Sequence, residues 1–331
     1  MIQLTHPAGH SINGIYPLND LGEARTSFKQ DTNISFEIFP ATTAAGRHQL
    51  LTEVSALTAA RPEYISVTYG AGGSNKQGSL ETAKSILADT DTEVMAHLTF
   101  SGQSRSQVMD SAQLLKAAGI HHLLALRGDS PRQQTPAQSP PFKDTVSFIN
   151  ALAAQGWSSI KTAAYPDTHK DAESPDQDFD WLLQKFDAGA TEAITQFFFD
   201  ADSFFRLRDR LDKYGLASKL VPGILVFSDI PKMFAFSEQC GVKLPDALKK
   251  ELSGNSEQTL FEAHSLSVLL DLCMKLSSGG VQSYHFYTLN KAGLTLQLLK
   301  LLGLPALADK SGHSYAVQSG QRQMQRKLVS A

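Results

Sequence analysis

Polar and ionisable residues recur at the ends of short apolar runs in this chain, and Glu37 sits inside one, Asn33–Phe39, between Phe36 and Ile38. A carboxylate among apolar neighbours is costly to desolvate, so Glu37 is expected to have a raised pKa, as suits a general acid near neutral pH. An outward-facing glutamate between helices is the alternative. His97 closes the run Glu93–Thr99. It is either a reactive imidazole or a core histidine satisfied by a barrel neighbour. Arg127, Gly128 and Asp129 follow one another at a further run end. Arginine pairs with anions and glycine lets backbone N–H groups approach a ligand. Tyr69-Gly70-Ala71-Gly72-Gly73-Ser74 is a glycine-rich turn able to present amides to a phosphate or a ring carbonyl, though it lacks the GxGxxG and P-loop spacings.

The elements that must position these groups alternate. Runs rich in β-branched and aromatic residues occur at Asn33–Phe39, Glu63–Tyr69, Glu93–Thr99, His121–Arg127, Ser159–Tyr165, Glu192–Phe198, Lys219–Leu225 and Val281–Tyr287. Segments of helical spacing lie between them, and several end in a glycine just before the next strand, as at Gly119, Gly156, Gly189 and Gly215. Eight strands, each followed by a helix, predict an α/β fold: a (β/α)₈ TIM barrel with extra helices before the last strand, over Pro231–Cys240, Pro245–Leu252 and Gln258–Leu276. An open doubly wound sheet uses the same alternation and stays open at this point. In a barrel the strand C-termini form one mouth. The polar residues there are Glu37, Thr68, Tyr69, His97, Thr99, Arg127, Asp129, Tyr165, Asp167, His169, Gln196, Tyr287 and Asn290. The expected organisation is a lead-in over 1–32, a catalytic barrel over 33–305 and a polar tail over 306–331.

Composition narrows the class. Thirty Lys and Arg against 33 Asp and Glu leave a net charge of −3, which offers no electrostatic grip on nucleic acid or an anionic membrane. Two cysteines, Cys240 and Cys273, form neither a disulfide framework nor a zinc motif, and a cytoplasmic setting is expected. No run approaches a membrane span and no signal-peptide core is present. The strand ends offer no Schiff-base lysine, no serine nucleophile elbow and no metal-ligand cluster, since Lys161 stands near a strand start. A cofactor-dependent reaction without a metal is the economical expectation.

The motifs SFEIFP (Ser35–Pro40), SVTYGAGGS (Ser66–Ser74), HLT (His97–Thr99), ALRGD (Ala125–Asp129), AAYPDTH (Ala163–His169), DAGATEAITQFFFD (Asp187–Asp200), PGIL (Pro222–Leu225) and HFYTLN (His285–Asn290) occur in this order. The ordered set resembles the methylenetetrahydrofolate reductase family of flavin-dependent barrels, from Asn33 to Leu302. The resemblance implies non-covalent FAD, with Thr68, Tyr69, Ala71, His97, Arg127, Gly128 and Asp129 about the flavin and ribityl. It further implies Tyr165, His169, Ala172, Asp178 and Lys185 along the ribityl, diphosphate and adenosine. Glu37 would be the acid that opens the folate ring and Asp129 the carboxylate beside pterin and flavin. Gln196, Phe236 and Lys291 would bind substrate. The implied reaction is ping-pong reduction of 5,10-methylenetetrahydrofolate to 5-methyltetrahydrofolate by NADH or NADPH, supplying methyl groups for methionine synthesis. The implied partners are small molecules, with homo-oligomerisation left open.

Several positions depart from the family pattern. Ile38 and Ala41 change packing, Asn75-Lys76-Gln77-Gly78 replaces an arginine-rich stretch, and Trp181 and Gln184 stand on the adenosine side, which leaves FAD or FMN open. Lys291 replaces an arginine, keeping charge but losing the bidentate fork. Two other readings stay open from sequence: a related flavin barrel that oxidises methyltetrahydrofolate in one-carbon catabolism, and a non-catalytic flavin- or folate-binding subunit.

Overall fold

A computed structural model of the chain describes residues 29, 31–69, 76–128, 140–253 and 258–304. Nine parallel strands form one sheet: β1 (Asn33–Ile38), β2 (Tyr64–Val67), β3 (Glu93–Thr99), β4 (His122–Leu126), β5 (Ser159–Ala164), β6 (Glu192–Thr195), β7 (Leu220–Val221), β8 (Gly223–Leu225) and β9 (Ser283–Tyr287). Their order is β7-β6-β5-β4-β3-β2-β1-β9-β8. The two ends of that order are consecutive in the chain, separated by Pro222 alone. Val221 pairs with Ile194 of β6 and Gly223 with His285 of β9, so one strand changes partner at the proline and closes the barrel. Proline lacks the N–H that an unbroken ladder would need. The expected single run Lys219–Leu225 is thus two short strands. The barrel is the (β/α)₈ arrangement expected, not the open doubly wound sheet.

The intervening helices are α1 (Ala44–Thr58), α2 (Lys76–Asp89), α3 (Arg105–Ala117), α4 (Thr145–Ala154), α5 (Pro175–Asp187) and α6 (Ala201–Asp212). The extra material before the last strand is α7 (Ile230–Cys240), α8 (Asp246–Ser253) and α9 (Gln258–Ser278), and α10 (Ala292–Leu301) follows β9. Their starts follow local chemistry. Ser104 and Asp144 build capping boxes, and Ser174 caps a helix whose first residue is Pro175. At their ends Gly119, Gly156, Gly189 and Gly215 all take positive φ, as the glycine stops predict.

Strand alternation sorts side chains between two compartments. Phe36, Ile38, Ile65 and Phe286 point outward into the main core under the helices, whereas Tyr64, Met95, Leu124, Ile194 and Val221 form a separate apolar cluster inside the barrel. Gly223 is required where it stands: a Cβ there would lie 2.2 Å from the Thr195 carbonyl oxygen and 2.6 Å from the Tyr287 ring. That close approach lets the Tyr287 hydroxyl donate to the Thr195 carbonyl at 2.8 Å.

Candidate active site

Glu37, in the middle of β1's last turn of pleat, points into the barrel because its neighbours Phe36 and Ile38 point out. Register places Glu37 beside Ser66 of β2 and Tyr287 of β9, and Ser35 beside His285. The surroundings are therefore imidazoles and hydroxyls. His97 Nε2 stands 3.3 Å and His285 Nε2 3.8 Å from Glu37 Oε2. Ser66 Oγ lies 2.6 Å from His97 Nε2, and Ser35 Oγ lies 2.7 Å from His285 Nδ1.

This corrects the expectation of a raised Glu37 pKa. Burial does push it upward, but the imidazoles of His285 and His97, whose Nε2 atoms face the carboxylate at 3.8 and 3.3 Å, outweigh burial and hold the carboxyl at about 2. The aromatic neighbours that suggested an apolar setting face the other compartment. His97 combines both readings, a satisfied interior histidine and a neighbour of the candidate acid. Burial depresses His285, against the pull of Glu37.

Above Glu37 two connected cavities open at the strand C-termini. One, of about 250 Å³, is lined by Glu37, Thr68, His97, Tyr165, Gln196, Phe236 and other residues. The other, of about 730 Å³, adds Tyr69, Thr99, Arg127, Gly128, His169 and Asp171. Gln196 is held by its N–H to the Ala164 carbonyl at 2.8 Å. Phe236 reaches the mouth from α7 and stacks on Phe197 with centroids 5.3 Å apart. Arg127 pairs with Asp171 at 2.6 Å, which lowers the Asp171 pKa chiefly through that hydrogen bond. The Tyr165 hydroxyl is pushed up to about 12 by burial and then by the charge of Asp178, so it stays protonated.

The mouth fits a flat heteroaromatic cofactor. The Thr68 and Thr99 hydroxyls are buried and have no partner among the described residues, and both line it. Ring nitrogens and carbonyls would satisfy them. Gly128, at φ 82°, packs so close that a Cβ would lie 2.8 Å from Thr99, which keeps the cavity wall flat.

Not every sequence candidate joins this cavity. Asp178 and Lys185 line a neighbouring cavity of about 300 Å³ between α5 and α6, which shares Tyr165 with the mouth. There Lys185 Nζ donates to the Ala163 carbonyl at 3.0 Å, and burial lowers its pKa to about 8 against the charge of Asp178. Asp178 Oδ2 accepts from the His169 N–H at 2.9 Å. Ala172 is half-buried in the loop before α5. Lys291 is an exposed N-cap of α10, lining neither mouth cavity. Ala71 and Asp129 lie outside the described residues. The chief omission from the sequence candidates is His285. Its signal is strand alternation with Tyr287, which puts both on the interior face.

A methylenetetrahydrofolate reductase family profile matches residues 23–303. The 5,10-methylenetetrahydrofolate reductase of Pectobacterium carotovorum subsp. carotovorum is 34% identical over 285 residues, covering 86% of this chain and 94% of that protein. The enzyme of that name from Escherichia coli K12 is 32% identical over 287 residues, covering 86% of this chain and 95% of its own. Among solved structures, a Clostridium thermocellum protein that binds two copies of 5-methyl-5,6,7,8-tetrahydrofolic acid shares the fold, with a TM-score of 0.58 and 11% identity over 86% of this chain and 98% of that one. A closed parallel barrel with its polar groups gathered at one mouth, and a family profile spanning that whole barrel, place the chain in the methylenetetrahydrofolate reductase family of oxidoreductases.

Proposed function

We propose that the chain reduces 5,10-methylenetetrahydrofolate to 5-methyltetrahydrofolate with NADH or NADPH, using non-covalent FAD, within a catalytic barrel over 33–305. The observation that carries this reading is Glu37, set beside two imidazoles at the floor of a mouth lined by Thr68, Tyr165, Gln196 and Phe236. Bound there, the flavin supplies hydride transfer between nicotinamide and folate in two successive half-reactions.

The chain's own residues bind, orient and move a proton. Thr68, Thr99 and the backbone around Gly128 would meet the ring edge, with Tyr69, His97, Arg127, Tyr165 and His169 beside them. Lys185 would shed its contact with Ala163 to meet the diphosphate, regaining full charge beside an anion. Phe236, already one face of an aromatic stack, offers a surface for nicotinamide or pterin. Gln196 orients the pterin through its amide. Glu37 delivers a proton to the folate amine that leaves when the five-membered ring opens. The resemblance assigns electrostatic support of the resulting iminium cation to Asp129. Lys291 would meet the folate tail as a point charge.

The test is spectroscopic. The purified protein is expected to be yellow, to bleach anaerobically with NADH or NADPH, and to regain its colour on addition of methylenetetrahydrofolate. A colourless protein that takes up no flavin defeats the reading. Bleaching without reoxidation removes the folate assignment.

A further inference from the structure

Glu37 presents a chemical difficulty that its surroundings resolve. A general acid must hold its proton at working pH, yet this carboxyl is stabilised as the anion by the imidazoles beside it. The proton it delivers must then be stored on a neighbour. Two imidazoles are within reach. His97 Nε2 is already engaged by Ser66 Oγ at 2.6 Å and borders the mouth cavity. His285 differs in each respect. It is fully buried, its Nδ1 is fixed by Ser35 Oγ at 2.7 Å, and its Nε2 has no hydrogen-bond partner among the described residues while facing Glu37 Oε2 at 3.8 Å.

We propose that His285 is the positioning residue that stores the proton for Glu37, the two sharing one proton between His285 Nε2 and Glu37 Oε2. The inference rests on the proposed folate reduction and deepens it. With the mouth open, water reaches Glu37 and favours the imidazolium–carboxylate form. Ligands that exclude water favour the uncharged form, because burying two charges costs more than burying none. Closure therefore moves the proton from His285 to Glu37. The Nε2–H bond breaks as an O–H bond forms on the carboxyl. That O–H then breaks as the folate amine takes the proton and departs with the electron pair of its C–N bond. The couple ends as neutral imidazole and carboxylate, and takes up one proton from water when the mouth reopens. A resting separation of 3.8 Å is compatible with this, since catalytic hydrogen bonds tighten in the ligand complex.

The groups facing His285 suit a reservoir. Glu37 and Ser35 come from β1, Tyr64 from β2 stacks at 6.0 Å, and Tyr287 of β9 meets it edge-on at 5.3 Å. Burial opposes a charge on it most, Glu37 favours one, and His97 from β3 and Lys161 from β5 add to the opposition. A proton held against that opposition is readily surrendered.

The experiment separates the half-reactions in the flavin-loaded enzyme. His285→Gln keeps an amide donor toward Glu37 but cannot carry the proton. Folate-driven reoxidation is expected to slow by about 10²-fold at pH 8. The deficit should shrink as the pH falls, because the variant lacks one of the two imidazoles that hold Glu37 down and its carboxyl then takes a proton from water more readily, and NAD(P)H-driven bleaching should stay at its wild-type rate. Reoxidation with a wild-type rate and pH profile overturns the proposal, as does equal loss in both half-reactions. Ser35→Ala, which removes the Nδ1 partner, is expected to shift the same profile less, and provides the test if His285→Gln fails to fold. A second readout needs no turnover. The ¹⁵N shifts of His285 in the ligand-free protein should report a protonation midpoint that falls by about one pH unit or more in Glu37→Gln. An unchanged midpoint overturns the couple. Wild-type enzyme that bleaches but is not reoxidised by methylenetetrahydrofolate counts instead against the functional reading, and the ¹⁵N titration still decides the couple.

Discussion

The two ends of the barrel interior are both polar, yet they are polar in opposite ways. At the base, Lys161 is buried but pairs with Glu192 and lies 4.4 Å from the centroid of the Tyr64 ring. His122 Nδ1 meets Ser159 Oγ at 2.7 Å and its ring stacks on Tyr64. Each charge there has its counterpart. At the mouth, Thr68 and Thr99 hydroxyls and His285 Nε2 have no hydrogen-bond partner among the described residues, and the Glu37 carboxyl, its pKa held low, faces a cavity. Satisfied polar groups hold a fold together, whereas unsatisfied ones at a cavity await a ligand. The presence of charge inside a barrel therefore says little. Whether the charge is already answered says where the chemistry is.

Substitutions at the two ends should separate function from stability. Glu37→Gln is expected to slow folate-driven flavin reoxidation by about 10²- to 10⁴-fold while leaving NAD(P)H bleaching nearly intact. Stopped-flow absorbance of each half-reaction checks this, and equal loss in both would erase the distinction between Glu37 and a structural carboxylate. At the base, Lys161→Met strands Glu192. Because that carboxylate is 35% exposed, the expected loss is about 1–3 kcal/mol, below the range for a fully buried pair. Chemical denaturation measures it, and NAD(P)H-driven bleaching per folded molecule should not change.

Smaller effects are expected between these extremes. Lys185→Met removes an ammonium that the flavin-free protein holds at a cost, so FAD affinity should fall by about tenfold while the flavin-free protein melts no earlier. Titration calorimetry and melting curves report the two separately. Thr99→Val deletes a hydroxyl with no protein partner: flavin binding should weaken by a few-fold, with stability unchanged to within about 1 kcal/mol. The pH dependence of stability adds a final contrast. The folded-state pKa of Glu37 lies near 2, below its ordinary 4.5, so its contribution is fully present above 4.5 and is lost as the pH falls toward 2. Glu37→Gln should flatten that part of an acid denaturation curve.

Much of the barrel was legible because it rests on local chemistry. Ser104, Asp144 and Ser174 start helices through their own hydroxyl or carboxyl groups, and Gly119, Gly156, Gly189 and Gly215 stop them by adopting positive φ. The closure at Pro222 was not legible, since a change of strand partner depends on what lies on either side. Mouth residues such as Thr68, His97, Tyr165 and Gln196 could be named from their place at strand ends. Lys185 and Lys291 lie away from that cavity, because a helix face or a cap can point a side chain elsewhere.

The amino-acid sequence by itself determined the alternation of strands and helices, the resemblance to a reductase family and the choice of Glu37 as a candidate acid. These follow from periodicity, capping and ordered motifs, which are properties of neighbours along the chain. Only the tertiary structure decided the lowered pKa of Glu37 and the placement of His285 beside it. Those depend on groups 60 and 248 positions away in the chain that strand register brings within 3.3 and 3.8 Å of one carboxylate oxygen. Electrostatic energy depends on separation in space, and a run of apolar neighbours in sequence is no measure of what a side chain meets on the inner face of a barrel.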